Sequence, residues 1–377
     1  MASHPPKEKR KVQISGKSSC MISLPKRWVK EMGLVQGSPL IITRHNSTSL
    51  LISLDKSFGG SFAQGETDIG ALYVSRPEPV ETILRKIVCL YVQGYNMIKI
   101  RLVESSGNSF LKATIRELVR RQLIGVEIVS DTSEGLVLQI LLGKSELTIE
   151  NAMKRMSIVA SSMLEEAVSA LRFLDKRRAR DVLEKDEIER FGSYTSRQIL
   201  GSINHDFFKE GDDSEPEKLA IYLLISREIE NVAKFARAIA GEVSKLEVPL
   251  DGSSTDGLGK LGAAASEILD SAMLSFFKRD SQAAETTIGK SKEFSHFENR
   301  VIESSRRLAG TTFGAEQIVA IEGAVESLKA VLRNSVEISN LVLSLTTDQF
   351  VRAEEPISSS VSSTELVLER DPINVFN

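Results

Sequence analysis

Three Gly-Lys-Ser triplets, Gly16-Lys17-Ser18, Gly143-Lys144-Ser145 and Gly289-Lys290-Ser291, are the first residues that invite a chemical reading, as phosphate loops. A phosphate loop also requires a glycine five residues before the Gly-Lys pair. Those positions hold Lys11, Leu138 and Ala284. No G-x-S-x-G elbow occurs, no G-x-G-x-x-G follows a strand, and His4, His45, His205 and His296 have no acid and nucleophile spaced as a triad. Cys20 and Cys89 with four scattered histidines give neither zinc-ligand spacing nor a disulfide framework. One acidic cluster, Glu184, Asp186, Glu187 and Glu189, is a weak alternative site for a divalent ion, and a solvated helix face explains it better. The chain reads as a protein with no catalytic residues, no cofactor and no assigned metal.

The remaining chemistry is charge. Residues 1–54 carry nine lysines and arginines against Glu8 and Glu31, a net +7 in a chain of net −3, so the rest carries −10. A small basic module on an acidic body fits a nucleic-acid-binding head on a regulatory or oligomerising body, and a solvated basic tail accounts for the charge equally well.

The elements that must position these residues form several domains, since 377 residues exceed what one core supports. No apolar run approaches about 18 residues, so no signal peptide or membrane insertion is expected and the chain reads as cytoplasmic. Stretches rich in Gly, Ser, Pro and Asp divide the chain into a head at 8–55, a linker at 56–79, a small α/β segment at 80–146, a helical bundle at 147–245, a linker at 246–260, a second bundle at 261–350 and a flexible tail at 351–377. The α/β segment reads αβαββ, with helices at 80–93 and 108–123 and strands at 98–103, 126–130 and 136–142. Beyond it apolar residues recur at i, i+3 and i+4. A shift of about 105 positions lays MLEEAVSALRFLDKRRARDVL over ILDSAMLSFFKRDSQAAETTI without a gap, pairing Leu164 with Leu269, Asp175 with Asp280 and Ala179 with Ala284.

In the head, Val12 and Ile14 alternate with polar residues, as do Cys20, Ile22 and Leu24, so two half-buried strands flank a turn at Ser15-Gly16. Pro25 opens a short helix that Gly33 ends, with Trp28, Val29 and Met32 expected inward, and Leu40–Arg44 and Ser49–Leu54 form a second hairpin. Four strands and two helical turns bury too little to fold alone, so a partner chain is required. The run Ser23-Leu24-Pro25-Lys26 with Trp28 and Gly33-Leu34 resembles the swapped-hairpin DNA-binding domain of the AbrB and SpoVT proteins over Lys11 to about Leu54. That resemblance implies a homodimer in contact with double-stranded DNA. It places Arg10, Lys11, Lys17, Lys26 and Arg27 on the phosphates. A head that only dimerises is the alternative.

The helical body resembles the PhoU phosphate-uptake regulators through Met153 to Met163-Leu164, Asp175-x-x-x-Ala179 leading to Val182 and Asp186, and Arg197-Gln198. Archaeal members resemble the whole arrangement: a multidomain chain with a swapped-hairpin β head, a small α/β segment and two tandem all-α three-helix bundles. Members of that family carry metal through an E-x-x-x-D signature in the last helix of each repeat. Here the matching positions read Glu230 with Lys234, and Lys329 with Arg333, so cations replace three of the four ligands. The resemblance implies a DNA-binding transcriptional regulator with a sensory body, controlling phosphate uptake or a related response. Its alternative is a cytoplasmic accessory protein acting on a phosphate transporter or signalling kinase, dimerised by its head.

Overall fold

The computed structural model describes residues 8–15, 19–44, 49–54, 69–74, 78–102, 108–141, 147–205, 216–293 and 314–351. The chain divides into two compact units, one of residues 1–163 and 180–234, the other of 164–179 and 235–377. This division does not follow the expected bundle boundaries. The helices Ile149–Phe173 and Pro216–Lys245 contribute to both units, because at 1.5 Å per residue each is about 40 Å long, more than one small core accommodates.

The first unit begins with the head. β1 (Gln13–Ser15) pairs with β2 (Ser19–Met21), α1 spans Lys26–Glu31, and β3 (Leu40–Arg44) pairs with β4 (Leu50–Leu54), all antiparallel. The two hairpins are separate sheets. Pro25 is the N-cap of α1, just before the first turn where the sequence placed it, and proline at a helix entrance forfeits no intrahelical bond. Gly33 takes a φ of 64° just past its end.

A four-stranded sheet follows, in the order β5-β6-β8-β7: β5 (Ile69–Val74), β6 (Met97–Leu102), β8 (Gly135–Ile140) and β7 (Val126–Thr132). β5 runs parallel to β6, and the other pairings are antiparallel. α2 (Val80–Val92) and α3 (Asn108–Gln122) match the expected helices to within a residue or two. Their buried residues, Ile83, Ile87, Tyr91 and Ile115 among them, share one core with Ile98, Ile100, Leu136 and Leu138 of the sheet. β5 is a correction to the sequence reading, because it lies in the stretch 56–79 expected as linker and makes the segment βαβαββ. Gly135 starts β8 with a φ of 157°, and a Cβ there would stand 1.9 Å from the Ile100 carbonyl oxygen. Gly135→Ala is expected to lower stability by about 1–3 kcal/mol, read as a lower melting temperature, because backbone in the middle of a sheet has little freedom to yield.

The helices of the body are α4 (Ile149–Phe173), α5 (Lys176–Glu184), α6 (Glu187–His205) and α7 (Pro216–Lys245), then α8 (Gly252–Lys278), α9 (Ser281–Glu293) and α10 (Ala315–Leu345). In the first unit Met153, Met156 and Met163 of α4 are buried with Tyr194 and Ile199 of α6 and Ile225 and Ile229 of α7. The Tyr194 hydroxyl donates to the Leu147 carbonyl at 2.6 Å, and the Tyr222 hydroxyl to a Glu150 carboxylate oxygen at 3.0 Å.

The second unit contains the turns α4–α5 and α8–α9, which repeat the 105-residue spacing in their geometry. Leu174 and Arg279 both adopt a φ of 51°. The Asp175 amide donates to the Ala170 carbonyl, and the Asp280 amide to the Ser275 carbonyl, the bonds of a left-handed helix stop. Each aspartate then caps the following helix, Asp175 accepting from the Arg178 amide and Asp280 from the Ala283 amide. The expected second linker is shorter than the sequence suggested, since α8 begins at Gly252 with Asp251 as its N-cap.

Candidate functional site

The head presents two kinds of surface, one charged and one apolar. Residues 8–11 run beside Pro25 and Trp28, and together with Ile22, Leu24 and Ile52 they line a cleft of about 740 Å³. Arg10 and Lys11 therefore lie near the entrance of α1, where Lys26 and Arg27 stand. The five DNA-contact candidates fare differently. Arg10 is paired with Glu8. Arg27 donates to Glu31 at 2.7 Å, and this carboxylate raises its pKa further. Lys11 and Lys26 are exposed, and Lys17 lies outside the described residues.

The apolar surface is larger than expected. Among the head residues whose side chains are described, only Pro25 is buried, Trp28 and Val29 are half-buried, and Met32, expected inward, is exposed. Ile14 is 84% exposed, Leu50 69% and Ile42 63%. Cross-strand pairing puts Leu40, Ile42, Leu50 and Ile52 on one face of the β3–β4 hairpin. Covering one such side chain gains about 1.5–3 kcal/mol, so leaving all of them in water is untenable for a module this small.

A second constellation lies where α6 meets the α/β segment. Arg197 is buried without a carboxylate. Its guanidinium donates to the carbonyls of Tyr91 at 2.6 Å, Tyr95 at 2.9 Å and Gly94 at 3.2 Å, and to Asn96 Oδ1 at 2.8 Å. Those carbonyls close the C-terminal end of α2, where the helix dipole concentrates negative charge. The guanidinium also sits 5.1 Å from the Tyr91 ring centroid. Burial lowers the Arg197 pKa and raises that of the Tyr91 phenol well above its ordinary value. The Tyr91 hydroxyl in turn donates to the Ile124 carbonyl. Arg197 was legible only as part of a motif. An arginine in the otherwise apolar and small-residue turn of α6 was the available signal for this role.

In α7, Glu230 pairs with Arg227 at 2.8 Å and its carboxylate lies against α6 at Gly192, where a Cβ would come within 2.1 Å of Oε1. Lys234 donates to Asn231 Oδ1 at 3.1 Å.

The sequence of α4 to α7 settles what these helices resemble. Residues 153–243 match the family model of the PhoU domain. The match covers less than half of the chain. Among solved structures the chain is similar to PhoU from Pseudomonas aeruginosa, with a TM-score of 0.48 and 15% identity over 53% of this chain and 96% of that one. It is likewise similar to the phosphate transport system regulatory protein PhoU from Streptococcus pneumoniae, with a TM-score of 0.47 and 16% identity over 54% and 96%. No curated protein matches the chain in sequence.

The PhoU-domain stretch thus contains Arg197, Glu230 and Lys234. Glu230 is already engaged by Arg227, and in α10 Arg333 and Lys329 are both directed at Glu326, at 3.3 and 3.7 Å. The acidic cluster between α5 and α6 does not converge either. Asp186 faces Arg121 at 3.2 Å and Glu187 faces Arg155 at 3.9 Å. Among the described residues no three His, Cys, Asp or Glu side chains are grouped to share an ion. Of the Gly-Lys-Ser triplets only Gly289-Lys290-Ser291 is described, inside α9, with Lys290 3.6 Å from Glu267. Among the described residues no helix is long and apolar enough to cross a membrane.

Proposed function

We propose that the chain is a cytoplasmic accessory regulator of phosphate uptake, acting on a phosphate transporter or its sensor kinase, and that its head joins two copies through an interleaved swapped-hairpin dimer. The PhoU-domain match over 153–243 supports the regulatory part. The observation that carries the dimer is the bare apolar surface of the head, from Ile14 to Leu50. Pairing two helical bodies on one stem gives a two-fold partner two contacts at once, and such linkage raises avidity by about 10²–10⁴ over either contact alone. No bond is made or broken. The body works by being bound, and the head sets how many bodies arrive together. In cells lacking the chain, uptake of labelled phosphate should no longer fall when phosphate is plentiful. Uptake that still responds to supply overturns the reading.

A DNA-binding head is the second reading, favoured by Lys9, Lys11, Lys26 and Lys30, which are exposed and have no ion-pair partner among the described residues. Under it, a gel shift on the upstream region should weaken steeply with salt, with a log–log slope of about −0.9 per phosphate neutralised. Removing charge at Lys26 and Arg27 should weaken binding across all sequences while the dimer persists. Absence of a shift, or a salt-independent one, leaves the dimeriser alone.

A further inference from the structure

We propose that the turn between α4 and α5 docks on an anionic lipid surface, with Phe173 entering the headgroup layer and the cations of α5 resting on lipid phosphates. Phe173 is the last residue of α4 and is 69% exposed. The left-handed residue Leu174 ends the helix there, so the ring stands at the tip of a helical hairpin. The Arg172 guanidinium lies 5.3 Å from the ring centroid. After the turn α5 begins Lys176-Arg177-Arg178-Ala179-Arg180. Ala179 and Val182 are buried, and the four cations are exposed.

The charge near the tip is only partly neutralised. Asp175 faces Arg178 at 3.7 Å, and Asp256 faces Arg172 at 3.9 Å. Lys176, Arg177 and Arg180 have no ion-pair partner among the described residues. Asp181 and Glu184 lie further along α5, away from the turn. Free cations so closely spaced stand out in the part of the chain that carries −10, and charge complementarity calls for an anionic partner. The exposed ring selects lipid among such partners. At a membrane–water interface an aromatic ring sits at headgroup level while cations on long stems reach the phosphates, and the anionic lipids of a cytoplasmic leaflet attract each of them. A nucleic acid would be served by the cations alone, and Arg172 already covers one face of the ring, which leaves a poor platform for base stacking. The contact lies on the surface and spans nothing. It depends on neither the head dimer nor the phosphate-uptake reading, since a lipid surface requires neither transporter nor kinase.

The test uses the full-length chain with Trp28→Phe and Phe173→Trp, which moves the single indole of the sequence to the tip. Its emission should shift to the blue with vesicles of phosphatidylglycerol and phosphatidylcholine in equal parts, and lipids brominated on the acyl chain should quench it. Phosphatidylcholine alone should leave it unchanged, and salt should reverse the shift. Adding Lys176→Gln and Arg177→Gln should raise the lipid needed for half the shift by at least about tenfold, since each cation near an anionic surface contributes a gain of about fivefold. Phe173, Lys176 and Arg177 are all exposed, so helical circular dichroism should stay native. An emission unmoved by anionic vesicles overturns the proposal, even where the protein sediments with them through its basic head. A shift indifferent to Lys176→Gln and Arg177→Gln overturns it too, and one produced by a single-stranded oligonucleotide but not by vesicles assigns the tip to nucleic acid instead.

Discussion

Trp28→Ala should convert the full-length chain, proposed above to be a dimer, to a monomer in light scattering, with its helical circular dichroism little changed. Trp28 is half-buried within one chain and lines the cleft with Ile22, Leu24 and Ile52. In the proposed paired head a second chain covers this group. Removing a large aromatic from a packed site costs about 3–5 kcal/mol, which matches the whole stability a unit of this size commands. The helical body has its own buried residues, from Met153 to Ile229 in the first unit and from Leu258 to Val342 in the second, so its helices persist. A variant that keeps the dimer mass contradicts the head interface.

Arg197→Ala should loosen the α/β segment from α6. The substitution strips donors from the carbonyls of Tyr91, Gly94 and Tyr95 and from Asn96 Oδ1. Each buried acceptor left unpaired costs about 1–3 kcal/mol, and water entering the gap recovers part of that, so a net loss of about 3–5 kcal/mol is expected. Hydrogen exchange should show the last turn of α2 losing protection before α4 and α7 do. Arg197→Lys should recover only a part, since an ammonium on a flexible stem cannot serve four acceptors spread around a planar fork. Unchanged protection in α2 for the alanine variant would show that the segment is held by other contacts.

The residues that report themselves by period or by punctuation were legible in the sequence. The helices of the α/β segment and the 105-residue repeat came from apolar spacing, and the repeat reappears in the matched left-handed turns at Leu174 and Arg279. The start of α8 was not legible, because Gly-Ser-Ser-Thr-Asp-Gly-Leu-Gly has the composition of a linker. Its glycines instead allow close packing: a Cβ at Gly259 would meet the Arg172 guanidinium at 2.6 Å, and one at Gly262 would meet Val168 at 2.8 Å. β5 escaped for a related reason, being six residues with no alternation of polar and apolar types, next to a Gly-rich stretch. At the candidate site the positions of the charges were legible and their pairing was not. Arg10 and Arg27 read as free cations in a list of residues, and only three-dimensional proximity assigns them to Glu8 and Glu31.

In the proposed function the head joins two regulatory bodies. That role can be tested by replacing residues 1–54 with an unrelated parallel two-stranded coiled coil and measuring labelled phosphate uptake, at low and high phosphate, in cells that lack the native chain. This chimera should restore uptake that falls as phosphate becomes plentiful. A chimera that is dimeric by light scattering yet leaves uptake unresponsive to supply would contradict it, and would assign to the head a contact of its own, with DNA the first to examine.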